Sequence, residues 1–214
     1  MPKTLLALLL LALTATSGCA INFDIGPYDV GGPAGDLGGA PAVQCPPSLG
    51  GIAIVDLGDS CRIGVVYDGV LVDGEELTAD VDAGIAAAAT LVGFITRVRS
   101  GSVALDTAQI LGGNGAPPAV TWRDLEIVLA IDGGTEHVQN QATVPNTTGI
   151  SFNTAMSSAD LSVVNAVLDA PTTSDLSGGI SMEGTLSLDD VQVLSDSGAL
   201  SFEASVGADI SVGL

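Results

Sequence analysis

Leu200-Ser201-Phe202-Glu203-Ala204-Ser205-Val206-Gly207-Ala208-Asp209-Ile210-Ser211-Val212-Gly213-Leu214 decides the fold class. Every even position is apolar and every odd position is polar or glycine. Successive side chains of a strand point to opposite faces, so this period of two marks a strand with one buried side. The run far exceeds the usual strand of about five or six residues. A bend or break is therefore expected at Gly207, where no side chain packs.

Working outward, Ile180, Met182, Leu186 and Leu188 keep the even positions, whereas Val191 and Val193 move to odd ones. A slip of one residue turns every later side chain to the opposite face unless an extra residue absorbs it. The pattern predicts a β-bulge at Asp189-Asp190, a turn at Ser195-Asp196-Ser197-Gly198, and hairpin pairing with the last strand. Further strands are expected at Ile52 to Leu57, Arg62 to Tyr67, Ser102 to Ile110 and Trp122 to Ile131. Asp132-Gly133 signals a hairpin toward Thr135 to Val144, and Asp73-Gly74 reads as another turn. Threonine, valine, isoleucine and serine dominate these segments, and glycine or aspartate separates them.

Two segments depart from this. Asp82 to Arg97 is alanine-rich, with Ile85, Ala88, Leu91, Val92 and Ile95 near helical spacing. Ser157 to Leu168 places Leu161, Val164 and Leu168 on one side, pairs Ser157 with Asp160 as a loose capping box, and meets Pro171 just beyond. The expectation is a mainly β, antiparallel β-sandwich-like single domain over residues 45–214, with one or two short helices near 82–97 and 157–168. A transmembrane barrel fits poorly. It needs interfacial aromatics, and the chain has one Trp, two Tyr and four Phe.

The N-terminus has a different character. A positive charge at Lys3, an apolar run from Leu5 to Leu13 and small residues from Thr14 to Gly18 follow the three-part grammar of a secretory signal peptide, residues 1–18. The run is too short to span a bilayer, which needs about 20 residues. Thr16-Ser17-Gly18-Cys19 resembles the lipobox of bacterial lipoprotein precursors. The resemblance covers the first twenty residues and implies lipidation of Cys19, with palmitate or a similar acyl chain, as the new N-terminus. In that family an aspartate after the cysteine retains the protein in the inner membrane. Ala20 stands there instead, which implies the outer membrane, on its periplasmic or surface face.

Residues 19–44 are rich in Gly, Pro and Asp, as in Gly31-Gly32-Pro33-Ala34-Gly35-Asp36, and bury too little apolar surface to offset their ordering entropy. They read as a flexible tether, with Ile21 to Ile25 as an alternative edge strand. With Cys19 assigned to lipid, Cys45 and Cys61 remain. In an oxidising compartment they pair as a disulfide that contributes roughly 3 kcal/mol; the alternative is two reduced buried thiols.

Cleavage before Cys19 removes Lys3, leaving Arg62, Arg97, Arg99 and Arg123 against 25 acidic residues, a formal charge of −21. Such a charge repels nucleic acid and anionic headgroups. Catalysis finds little support. His137, the lone histidine, reads as a half-exposed strand residue, no G-x-S-x-G elbow occurs, and adjacent carboxylates such as Asp80/Asp82, Glu75/Glu76 and Asp189/Asp190 are expected by chance in so acidic a chain. Asp80-Val81-Asp82 starts like an EF-hand loop, but Gly84 and Leu91 replace its later ligands, so Ca2+ stays open only as a site built from separate loops. No cofactor motif stands out. The sequence thus points to a non-enzymatic envelope or cell-surface lipoprotein, bound to the membrane through lipid, with a β-rich domain for binding or structure and an unidentified partner. The alternative is a carrier of apolar, lipid-like ligands.

Overall fold

The computed structural model describes residues 17–33, 44–49, 52–88 and 97–213. Along the chain these form β1 (Ser17–Pro33), β2 (Ser48–Leu49), β3 (Ile52–Asp56), β4 (Ser60–Val72), α1 (Gly74–Ala88), β5 (Arg97–Leu111), β6 (Thr121–Ile131), β7 (Glu136–Pro145), β8 (Phe152–Ala155), α2 (Ser158–Asp169), β9 (Leu176–Ser187), α3 (Leu188–Asp196) and β10 (Ala199–Gly213), with a 3-10 turn at Asn146–Thr148. The strands build two antiparallel sheets, ordered β1-β10-β5-β8 and β2-β3-β4-β9-β6-β7. Inward residues of both, among them Leu105, Ile110 and Phe202 from the first and Ile63, Ile127 and Ile180 from the second, share one buried cluster. The chain is mainly β, an open two-sheet sandwich with no closed barrel.

Alternation in β10 is borne out, since Leu200, Phe202, Ala204, Val206 and Ile210 are buried. The expected break at Gly207 is not. β10 runs through it, and the irregularity lies in its neighbour: Ser205 faces Thr107 and Val206 faces Leu105, so Asp106 is an extra residue in β5. That bulge lets Val103 and Leu105 face the core before it and Ala108 and Ile110 after it.

The slip after Leu188 has another cause. No bulge forms at Asp189-Asp190, because β9 ends at Ser187 and α3 begins. The Ser187 hydroxyl accepts from the Asp190 N–H at 3.2 Å, and the Asp190 carboxylate accepts from the Ser187 N–H, a reciprocal capping box. Val191 and Leu194, three apart, are both buried, as a helix face requires. β9 and β10 are therefore not a hairpin. α3 carries the chain from the middle of one sheet to the middle of the other, and Gly198 (φ 81°) follows where the turn was expected.

Asp73-Gly74 likewise opens α1 instead of a turn. The Asp73 carboxylate accepts from the N–H groups of Glu75 (2.9 Å) and Glu76 (3.2 Å), and Leu77 and Val81 bury the helix against the core. The helix thus starts eight residues before the expected one; the remainder of that segment, residues 89–96, lies outside the described residues. The second helix, α2, is as expected, with Ser157 and Asp160 forming a complete box. Asp132-Gly133 does turn β6 into β7, with Gly133 at φ 74°. Beside this hairpin a Cβ on Gly184 of β9 would come within 3.1 Å of the Trp122 ring, so glycine there makes room for the single buried tryptophan.

The Gly/Pro-rich segment needs the largest correction. From Ser17 to Pro33 the chain is not a tether but β1, an edge strand paired with β10, as the alternative for Ile21 to Ile25 allows. Gly26 and Pro27 fall where the register shifts between Ile25 and Tyr28. An edge strand bonds on one side only, so it tolerates a proline that a central strand would reject. Residues 1–16 of the expected signal peptide and 34–43 of the expected tether lie outside the described residues.

Candidate functional site

The lone histidine lies at a cluster of polar groups beneath α2. His137 is only 8% exposed, not half-exposed as its place in an alternating strand suggests. The N-terminus of α2 covers it. His137 Nε2 donates to Asp160 Oδ2 at 3.1 Å, the Ser157 N–H donates to the same oxygen at 2.7 Å, and the Thr135 N–H donates to Oδ1 at 2.7 Å. The hydroxyls of Thr135 and Ser157 are 2.6 Å apart. Asp160 is fully buried. Burial alone would raise its pKa, but the Ser157 N–H and hydroxyl, the Thr135 N–H and the His137 charge together hold the carboxyl below its usual range.

A buried carboxylate on an imidazole is two-thirds of a hydrolytic triad, but the third part is misplaced. Ser157 and Thr135 bond to each other and to Asp160, not to the imidazole, so neither hydroxyl has a base to take its proton. What the arrangement can do chemically is cap α2 and clamp it to the β6–β7 hairpin.

The paired carboxylates are dispersed in the same way. Glu75 and Glu76 occupy the exposed first turn of α1, Asp80 and Asp82 follow on the same helix rather than in a loop, and Asp190 caps α3 while Asp189 faces solvent. Among the described residues no three His, Cys, Asp or Glu side chains are placed to hold a metal ion.

Between the sheets is a wholly apolar cavity lined by Leu71, Leu77, Val103, Ile131, Val164 and Val206, among others, with a volume of about 20 Å³. A ligand pocket for a drug-sized molecule occupies several hundred, roughly 300–1,000 Å³.

Cys45 and Cys61 are joined in a disulfide, Cα atoms 5.7 Å apart, which pins the segment before β2 to the start of β4. Cys19 lies in β1 opposite Ile210, in the four-stranded sheet, whereas Cys61 lies in β4 of the six-stranded one. The structure brings Cys45 and Cys61 together and keeps Cys19 in the other sheet.

No family model and no curated protein matches this chain. Its site must be read from its own residues. Two buried polar anchors escaped the sequence. One is Asp160 as the partner of His137. The other is Asn146, fully buried, whose Oδ1 accepts from the Ile110 N–H (3.0 Å) and the Trp122 Nε1–H (3.3 Å) while its Nδ2 donates to Ile110 O (2.8 Å). Ser157-x-x-Asp160 carries a legible signal for the first, and nothing local marks Asn146.

Proposed function

We propose that the chain is an exported lipoprotein, acylated on Cys19 and held at the outer membrane, whose β-sandwich serves a non-enzymatic binding or structural role in the envelope. The observation that carries this is Thr16-Ser17-Gly18-Cys19 following Lys3 and the Leu5 to Leu13 run. The Cys45–Cys61 disulfide supports export, since such bonds persist in oxidising compartments. The polar cluster around His137 supports a non-enzymatic role, because its groups are consumed in capping a helix.

The position of β1 alters the form of the anchor. Cleavage before Cys19 would make that residue the first of an edge strand hydrogen-bonded to β10, so the sandwich would sit directly on the membrane with no flexible spacer. Carriage of apolar ligands is the weaker reading. A cavity of about 20 Å³ would have to grow more than tenfold, by parting the sheets, before a lipid chain fitted.

Metabolic labelling with palmitate in a bacterial host tests the anchor. Wild type is expected to label and to fractionate with membranes, and Cys19→Ala to do neither. Equal labelling of the two, or none in either, would remove the anchor.

A further inference from the structure

We infer that the outer face of the six-stranded sheet binds a second copy of this chain, turned over about an axis that runs across the strands through Val66 and Val138. The contact is independent of the anchor proposed above.

Pairing register lays the face out in rows. Val66 of β4 pairs with Ser181 of β9, Ser181 with Val128 of β6, and Val128 with Val138 of β7. Val66 is 65% exposed and Val138 52%. Val55 and Val70 are exposed on the same face, which therefore holds four of the six large apolar side chains left open among the described residues. The other sheet differs: β10 presents Ser201, Glu203, Ser205, Asp209 and Ser211 outward, the polar row expected beside water. An apolar patch kept on one of two outer faces marks a contact surface.

Charge selects the occupant. On one side of the valine row stand Gly64, Glu183, Glu126 and Asn140, and beyond them Arg62 and Arg123, both paired with Thr185. Arg62 is ion-paired with Glu183. On the other side stand Asp68, Gly179, Ala130 and Glu136. Carboxylates so close to the valines keep the face out of an acyl phase, since an unpaired charge there is costly. Turning a second copy over about the valine row sets Glu183 over Gly179 and Glu126 over Ala130, and brings Arg62 and Arg123 to the end that carries Asp68 and Glu136. Large groups then meet small ones and unlike charges become neighbours. An axis along the strands would instead set Glu183 over Glu126 and Asp68 over Glu136, like charge on like.

The area suffices. From Arg62 to Val70 the face is about 26 Å long, and β3 to β7 span about 20 Å, so two such faces together bury on the order of 1,100 Å², above the roughly 1,000 Å² that a specific interface needs. The charge of −20 on each chain repels at long range, but at physiological salt that repulsion is screened beyond about 8 Å.

Sedimentation equilibrium of the full-length protein in detergent should give twice the chain mass. Val66→Asp with Val138→Asp buries unpaired charge only in the pair, so its dimer dissociation constant should rise at least about a hundredfold. Both positions are exposed in the single chain, and unchanged Trp122 fluorescence would confirm that the variant folds. The axis is read by cross-linking in membranes under mild oxidation. Val66→Cys lies on the axis and should link to itself, whereas Ser205→Cys, on the outer face of the other sheet, should link no more than wild type. A monomeric wild type, a dimer that survives the two aspartates, or no link through Val66→Cys would overturn the inference. Neither measurement requires acylation of Cys19, so loss of the anchor would leave the interface standing.

Discussion

Asp160 shows how one side chain joins local and distant structure. Its carboxylate caps the start of α2, receives the Thr135 N–H from the hairpin and pairs with His137. Removing a buried acceptor leaves its donors unsatisfied, which costs more than the bond itself contributed. Asp160→Ala is expected to lower stability by about 3 kcal/mol in urea titration; a loss under about 0.5 kcal/mol would mean the cluster is not a clamp. The pH dependence follows from the lowered pKa. A carboxyl depressed in the folded state contributes stability fully above its ordinary value of 3.8, and that contribution disappears as pH falls through the lower folded value. Urea midpoints should therefore fall below about pH 4 in wild type, and fall less steeply in Asp160→Ala.

α3 shows what a short element conceals. Ser187-Leu188-Asp189-Asp190 has the serine and third-position aspartate that identify the start of α2 at Ser157, yet its apolar residues suggest a displaced strand. A nine-residue helix has too few turns to display the period of 3.6, and only Val191 and Leu194 reveal it. Ser187→Ala should cost about 1 kcal/mol, because the hydroxyl caps Asp190. A strand with a bulge there would lose almost nothing, so the same urea titration distinguishes the two. In β5, conversely, the shift from Val103 and Leu105 to Ala108 and Ile110 is legible as an extra residue at Asp106, the same kind of slip with the opposite cause.

In the whole molecule the last two strands occupy interior positions of both sheets: β9 lies between β4 and β6, and β10 between β1 and β5. Neither sheet is complete until the C-terminal third of the chain has inserted, and the two share one core. Unfolding followed by Trp122 fluorescence, which reports the six-stranded sheet, and by far-UV circular dichroism, which reports both, is expected to give coincident transitions. Two separated midpoints would show that the sheets are independent. The sequence by itself determined most of the longer strands with their inward faces and the capped start of α2, because alternation and capping are properties of neighbouring residues. Only the tertiary structure decided that the Gly/Pro-rich segment pairs as an edge strand, that β9 and β10 belong to different sheets, and that His137 is covered by Asp160. Each of these depends on which strand or helix lies alongside, and a backbone hydrogen bond carries no mark of the partner it will choose.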